Sequence, residues 1–374
     1  MNPRIIAAWI SVALVGCDDG VDGTGDPTED NLRQYEALRL QLEQARTQVL
    51  PADRVDDVRA AGPWLVWLDI YQGFAGELHA RRYPDGAEVA PEVPIGDEQT
   101  APNFEVGETL GMTALTVGGD AQYTVFRLDT GAVLDVVTWP KPTAARYDAY
   151  GVFGEQAYVV VEDEDLAVYA WTPGTDAPTR LGALGETDAS LGAWAGFVVV
   201  EDLAGARRLI GVGTYGTYSF DLATFAATRV PLPLMPLAGA INEHGVGVAD
   251  DRELWWYGWG DAEARPIHEE LAASTYLLNS TYAMAHLPSS LSARGDVSVA
   301  GTTLYYRSNS GIYAYDVETR AVAPVLLDDN NYAMTGLFVR YTGVLTGDGA
   351  LYAVGLESDN GAIGVDGPVY RVEL

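Results

Sequence analysis

The side chains able to do chemistry are thinly spread along this chain. Four histidines, His79, His244, His268 and His286, stand far apart. No two have the i,i+4 spacing that puts a pair of imidazoles on one helix face to hold zinc. Each is read as a surface or strand residue. Three acidic runs are denser: Glu162-Asp163-Glu164-Asp165, Asp250-Asp251 and Asp328-Asp329-Asn330-Asn331. Close carboxylates repel until a counter-charge joins them, and calcium is the hard cation such oxygens take. All three runs fall where turns are expected, so they read as solvated hairpin tips, with bound calcium as the alternative. No G-x-S-x-G elbow, P-loop or Rossmann glycine fingerprint occurs, and Gly211-Val212-Gly213 precedes a strand pattern and reads as a turn. No catalytic, cofactor-binding or metal-binding residue is assigned. The run Trp255, Trp256, Tyr257, Trp259 must place alternate rings on opposite sides of a strand. One side is core; the other packs on the adjoining repeat or, alternatively, meets a glycan or protein.

Composition narrows the partners. The 374 residues carry 22 basic and 53 acidic side chains, a formal charge of −31, with 48% hydrophobic content. The apolar share is ample for a buried core, and the charge repels phosphate backbones, so nucleic acid is excluded as a partner. Cys17 is the only cysteine. It permits no intrachain disulfide and no multi-thiolate zinc site, leaving packing and backbone hydrogen bonds to hold the fold.

That cysteine ends the most informative segment. Arg4 supplies a positive charge, an apolar run follows from Ile5 to Val15, and the small Gly16 precedes Cys17. This is the layout of a signal peptide, and its apolar stretch falls short of the ~20 residues a bilayer-spanning helix needs. Leu14-Val15-Gly16-Cys17 resembles the lipobox of bacterial lipoproteins. The resemblance implies acylation of the Cys17 thiol and cleavage before it, with residues 1–16 removed. Asp18 leaves the choice of membrane open. Residues 17–29 then read as a lipidated cysteine and a flexible acidic tether, since 18–29 are almost wholly Asp, Gly, Thr and Pro. From Asp30, Leu32, Tyr35, Leu38, Leu42, Ala45 and Val49 recur at spacings of three and four up to Pro51. The pattern predicts an amphipathic helix over 30–50, its stripe packed on the protein's own body.

The texture changes from residue 62 onward. Short β-rich runs such as WLVWLDI (64–70), YTVFRLDTGAV (123–133) and ELWWYGW (253–259) recur between Gly, Asp, Asn and Pro. Two segments match in register: YSFDLATFAA from Tyr218 and YAYDVETRAV from Tyr313, sharing Asp221 with Asp316 and Thr224 with Thr319. VFRLDTGAV is a weaker echo. Each reads as a strand, a turn whose Asp or Thr caps backbone amides, and a further strand. Taking Leu78, Tyr123, Leu166, Tyr218, Leu254, Ile312 and Val369 as the second strand of successive units gives seven repeats over 62–374, close to the blade length of propellers. The expected fold is thus all-β, a propeller of seven four-stranded blades, with six or eight as alternatives. Residues 268–295 read as an insertion, partly helical. The Y-x-[YF]-D-[LV]-x-T turn resembles the blade pattern of quinoprotein-like, TolB-like and kelch-like propellers, and propeller lipoproteins that scaffold envelope machinery are similar in architecture.

The expectation is a lipid-anchored protein of the bacterial cell envelope, on the periplasmic or cell-surface side, acting as a non-enzymatic platform for an envelope protein or surface glycan. The competing reading is a propeller enzyme, a glycan lyase or hydrolase, with carboxylates and Arg gathered in the central channel from several blades. No cofactor is expected.

Overall fold

Strand propensity, alternation and closely spaced turn residues resolve into seven four-stranded antiparallel sheets arranged as a β-propeller. The structure, a computed structural model, describes residues 27–51, 57–71, 74–94, 103–139, 150–162, 166–183, 194–213, 216–232, 238–250, 253–273, 296–308, 310–328, 337–347, 349–359 and 368–374. Blades 1 to 6 are contiguous in sequence, within 57–89, 103–139, 150–183, 194–230, 238–266 and 297–327. Blade 7 takes three strands from 337–373 and its outermost from the other end of the chain, β1 (Arg46–Leu50). All seven marker residues lie in the third strand of a blade, where the second was expected. The innermost strands are mostly short, such as Asn103–Val106 and Tyr150–Phe153, and too brief to show alternation in the sequence.

The helix α1 spans Pro27–Glu43, and 46–50 is strand. Pro27 is tolerated in the first turn because its missing N–H would have no helical partner there. Arg46-Thr-Gln-Val-Leu keeps the apolar spacing that predicted more helix, yet it pairs antiparallel with the last strand, Arg46 opposite Val372 and Gln48 opposite Tyr370. The ladder outweighs a weak local preference. The second helix, α2 (Ile267–Ala273), occupies the start of the expected insertion; 274–295 lie outside the described residues.

Contacts gather the chain into two units, Met1–Ala52 with Gly247–Trp256 and Arg265–Leu374, and Asp53–Val246 with Tyr257–Ala264. In the second of these, apolar faces of successive blades interdigitate. Val66, Leu68, Leu78 and Ala80 of blade 1 meet Phe104, Phe126 and Leu128 of blade 2. Leu110, Met112 and Val125 meet Tyr150, Val159 and Trp171, and Tyr158, Val160 and Val168 meet Leu209, Tyr218 and Phe220. Gly111 is required by this packing, because a Cβ there would lie 2.2 Å from the Phe126 ring. In the first unit Tyr305, Ile312 and Leu326 of blade 6 pack on Leu351, Ala353 and Tyr370 of blade 7. Against them sits α1, with Tyr35 and Leu42 buried. The Tyr35 hydroxyl donates one proton shared between the carbonyls of Ser310, 3.1 Å away, and Asp328, 3.0 Å away.

Candidate functional site

The repeated turn is the element that recurs with its chemistry intact. In blade 4, Asp221 Oδ1 accepts from the amides of Ala223 and Thr224 at 2.8 and 2.9 Å. In blade 6, Asp316 Oδ1 accepts from Glu318 and Thr319 at 3.0 and 2.7 Å, and from the Thr319 hydroxyl. Four residues on, Phe225 and Arg320 both sit at positive φ, 58° and 60°, each donating its amide back to the carbonyl of that aspartate. Blade 2 holds a third copy, with Arg127 in the aspartate's place and Gly131, φ 70°, at the left-handed position. In all three, a threonine hydroxyl accepts the amide that follows, from Ala132, Ala226 and Ala321. These carboxylates are therefore caps for backbone amides, and the hydrogen bonds from Thr224 and Ala223 hold the Asp221 carboxyl below the usual carboxylate range.

What differs between the copies lies one strand back. Arg208 stands opposite Asp221, and Thr303 opposite Asp316. Arg208 fills its place: its Nε donates to the buried Asp202 at 2.7 Å, and one of its terminal nitrogens lies 3.4 Å from Ser219 Oγ. That guanidinium is the main cause of a lowered Asp202 pKa, helped by amides of Ala204 and Ala206. Blade 2 fills the same place with the wholly buried Leu110, opposite Arg127. Blade 6 leaves it open. Thr303, Ala314 and Asp316 line an apolar cleft of about 80 Å³, walled by Tyr305, Pro324 and Val325, with Leu42 and Ala45 at the end of α1 on one side and Leu374 on the other. The cleft lies within one unit of the chain.

The residues singled out in the sequence are mostly absorbed locally. His79 lies between carboxylates, Nε2 3.1 Å from Asp69 and Nδ1 3.0 Å from Glu88, with its ring stacked on Trp67. His268 Nδ1 is 3.3 Å from the Leu254 amide nitrogen and 3.1 Å from its carbonyl oxygen. His244 reaches Glu243 at 3.5 Å. Trp256 and Leu254 are buried, and Trp255 and Tyr257 on the opposite side are half-buried. Trp255 donates to Glu253, and Trp259 donates to the Asn242 carbonyl. Among the described residues no three His, Cys, Asp or Glu side chains are placed to hold a metal ion. Cys17, the tether through Asp26, His286, Asp163 to Asp165, Asp251 and Asp329 to Asn331 lie outside the described residues. Sequence reading missed the cleft. Its signal was present, a serine in YSFD set against an alanine in YAYD, but the Arg208-for-Thr303 exchange shows only once strand register is known.

The propeller has counterparts among solved structures. The extracellular domain of a putative hybrid two-component system from B. thetaiotaomicron superposes with a TM-score of 0.51 at 8% identity, over 88% of this chain and 39% of that one. The extracellular domain of a putative one-component system from the same organism gives 0.47 at 8% identity, over 88% and 40%. This chain thus spans less than half the length of either. At such identity the likeness shows the fold. No protein-family model matches the chain, and no curated protein matches its sequence.

Proposed function

We propose that this chain is an extracytoplasmic, lipid-anchored propeller that serves as a non-enzymatic binding platform for an envelope protein or a surface glycan. The observation that carries the reading is the position of its only cysteine: Cys17 closes an apolar export segment, a short run ahead of a helix tied to blade 6 and a strand built into blade 7. A lipid there holds a propeller at a membrane surface, and several acyl chains give firm attachment. The likeness to the extracellular domain of a two-component system supports an extracytoplasmic setting. Propellers offer broad surfaces assembled from loops, which suits recognition of partners.

The test starts with Cys17→Ala in the native host. The variant is expected in the soluble extracytoplasmic fraction while the parent sediments with membranes; retention of the variant on membranes overturns the anchor. Purification of the lipidated protein from detergent-solubilised membranes is then expected to bring down a stoichiometric protein partner, or glycan arrays to give a saturable signal. Silence in both, with turnover in a glycan-cleavage screen, replaces the platform with the enzyme reading. Deleting 30–50 is unsuitable as a probe, because it removes the outer strand of blade 7 along with most of α1.

A further inference from the structure

We infer that the blade 6 cleft binds a small organic cation, an alkylguanidinium or alkylammonium ion, with its charge toward Asp316 and its alkyl group against Tyr305, Pro324 and Val325. The proposal goes beyond the platform reading and does not depend on the anchor.

Three observations converge on it. First, the internal repeat supplies its own control. Asp221 and Asp316 cap identical turns, yet only blade 4 places a guanidinium opposite the aspartate, from Arg208, alongside Ser219. The matching residues in blade 6, Thr303 and Ala314, are both shorter, and the vacated space is the cleft. Second, Asp316 spends only Oδ1 on its turn; Oδ2 accepts no hydrogen bond from a described residue. An anion left at the mouth of an apolar cleft gains more from a cation than one facing bulk water does. Third, the surroundings select the sign. Among the described residues, Asp316 and Glu373 are the charged side chains that line the cleft, and Glu373 is paired to Arg371. At about 80 Å³ the space exceeds what a single water needs, ~10–15 Å³, and falls below the ~150 Å³ of a cavity that takes benzene. A planar guanidinium carrying a single methyl group, smaller than benzene, matches that size and pairs with a carboxylate through two parallel N–H donors.

Equilibrium dialysis of labelled methylguanidinium against the purified full-length protein in detergent, with detergent alone as blank and isopropanol as the neutral counterpart, tests the inference. The cation is expected to bind at least about tenfold more tightly than the alcohol. Asp316→Asn keeps an acceptor for the turn amides and is expected to erase that margin. Thr303→Arg, which fills the cleft with a guanidinium from the chain itself, is expected to abolish binding. Ala314→Met fills the cleft without touching the charge and is expected to reduce both ligands alike. Equal affinity for cation and alcohol overturns the proposal. So does cation binding that survives in Asp316→Asn and Thr303→Arg, since that is diffuse attraction to a chain of charge −31. If Asp316→Asn does not fold, Thr303→Arg and Ala314→Met decide the question alone.

Discussion

The Tyr35 hydroxyl, shared between the carbonyls of Ser310 and Asp328, ties α1 to the turn between the second and third strands of blade 6 and to the end of its outer strand. Both acceptors are backbone oxygens in buried residues, and the Ser310 carbonyl also accepts from the Asp328 amide at 2.7 Å, so the tyrosine proton is worth the net of one hydrogen bond, about 0.5–1.5 kcal/mol. Tyr35→Phe, which keeps the ring and removes the proton, is therefore expected to lower unfolding free energy by about that amount in denaturant titration. Tyr35→Ala adds a cavity and is expected to cost about 3–5 kcal/mol. Tyr35 was recognisable in advance as one member of an apolar stripe, because spacings of three and four along a helix fix a face. Its hydroxyl partners were not, since both sit far along the chain and backbone carbonyls leave no trace in side-chain pattern. The same holds for Asp202: nothing in the run Glu201-Asp202-Leu203 marks its second residue as the buried partner of Arg208.

Between elements, the turn shared by blades 2, 4 and 6 shows what sequence similarity encodes. The threonine serves a backbone amide in all three copies and persists, the aspartate does so in blades 4 and 6, and the left-handed position holds Gly131, Phe225 or Arg320. A non-glycine residue in that conformation carries roughly 1 kcal/mol of steric cost. Arg320 is exposed and pays it without a packing return, so Arg320→Gly is expected to match or exceed the parent in melting temperature. Phe225 lies against Gly182 and packs with the blade 3–4 core, so the same exchange there is expected to destabilise. Gly131→Val forces a β-branched residue to φ 70° within 2.7 Å of the Val89 side chain and is expected to lose several kcal/mol. Blade number was legible because one strand bounded by turn residues recurs once per blade, in each case the third. Strand order within a blade was less so, and the change from helix to strand after Glu43 was hidden because it depends on a partner at the other end of the chain.

For the molecule as a whole, charge and burial set the pH range. Asp202 is held below its usual pKa by Arg208 and Asp221 by turn amides, so both titrate lower in the folded chain than in the unfolded one. The stability they contribute is complete above the unfolded carboxylate value of ~3.9 and is lost as the pH falls through the lower folded value. At the alkaline end, burial pushes the Tyr313 phenol up to about 12 despite its hydrogen bond with Ser310, and raises Tyr305 and Tyr315 as well. A raised phenol contributes stability below the unfolded value of ~10, and that contribution drains as the pH climbs toward the folded value. Chemical denaturation across pH is thus expected to give a plateau from about 5 to 9, falling on both sides, with Asp202→Asn flattening the acid limb and Tyr313→Phe the alkaline limb.

The seventh blade also fixes an order of events. Its outer strand, Arg46–Leu50, is synthesised before the other strands of the described sheets, and the strand it pairs with, Val369–Glu373, after them. Until Val369 to Glu373 have been made, Arg46 to Leu50 are an unpaired edge attached to a helix whose docking carbonyls, on Ser310 and Asp328, are also made long after it. A propeller so closed leaves its seventh blade incomplete until two segments far apart in the sequence are both present, so the pairing that completes it is among the most non-local in the fold.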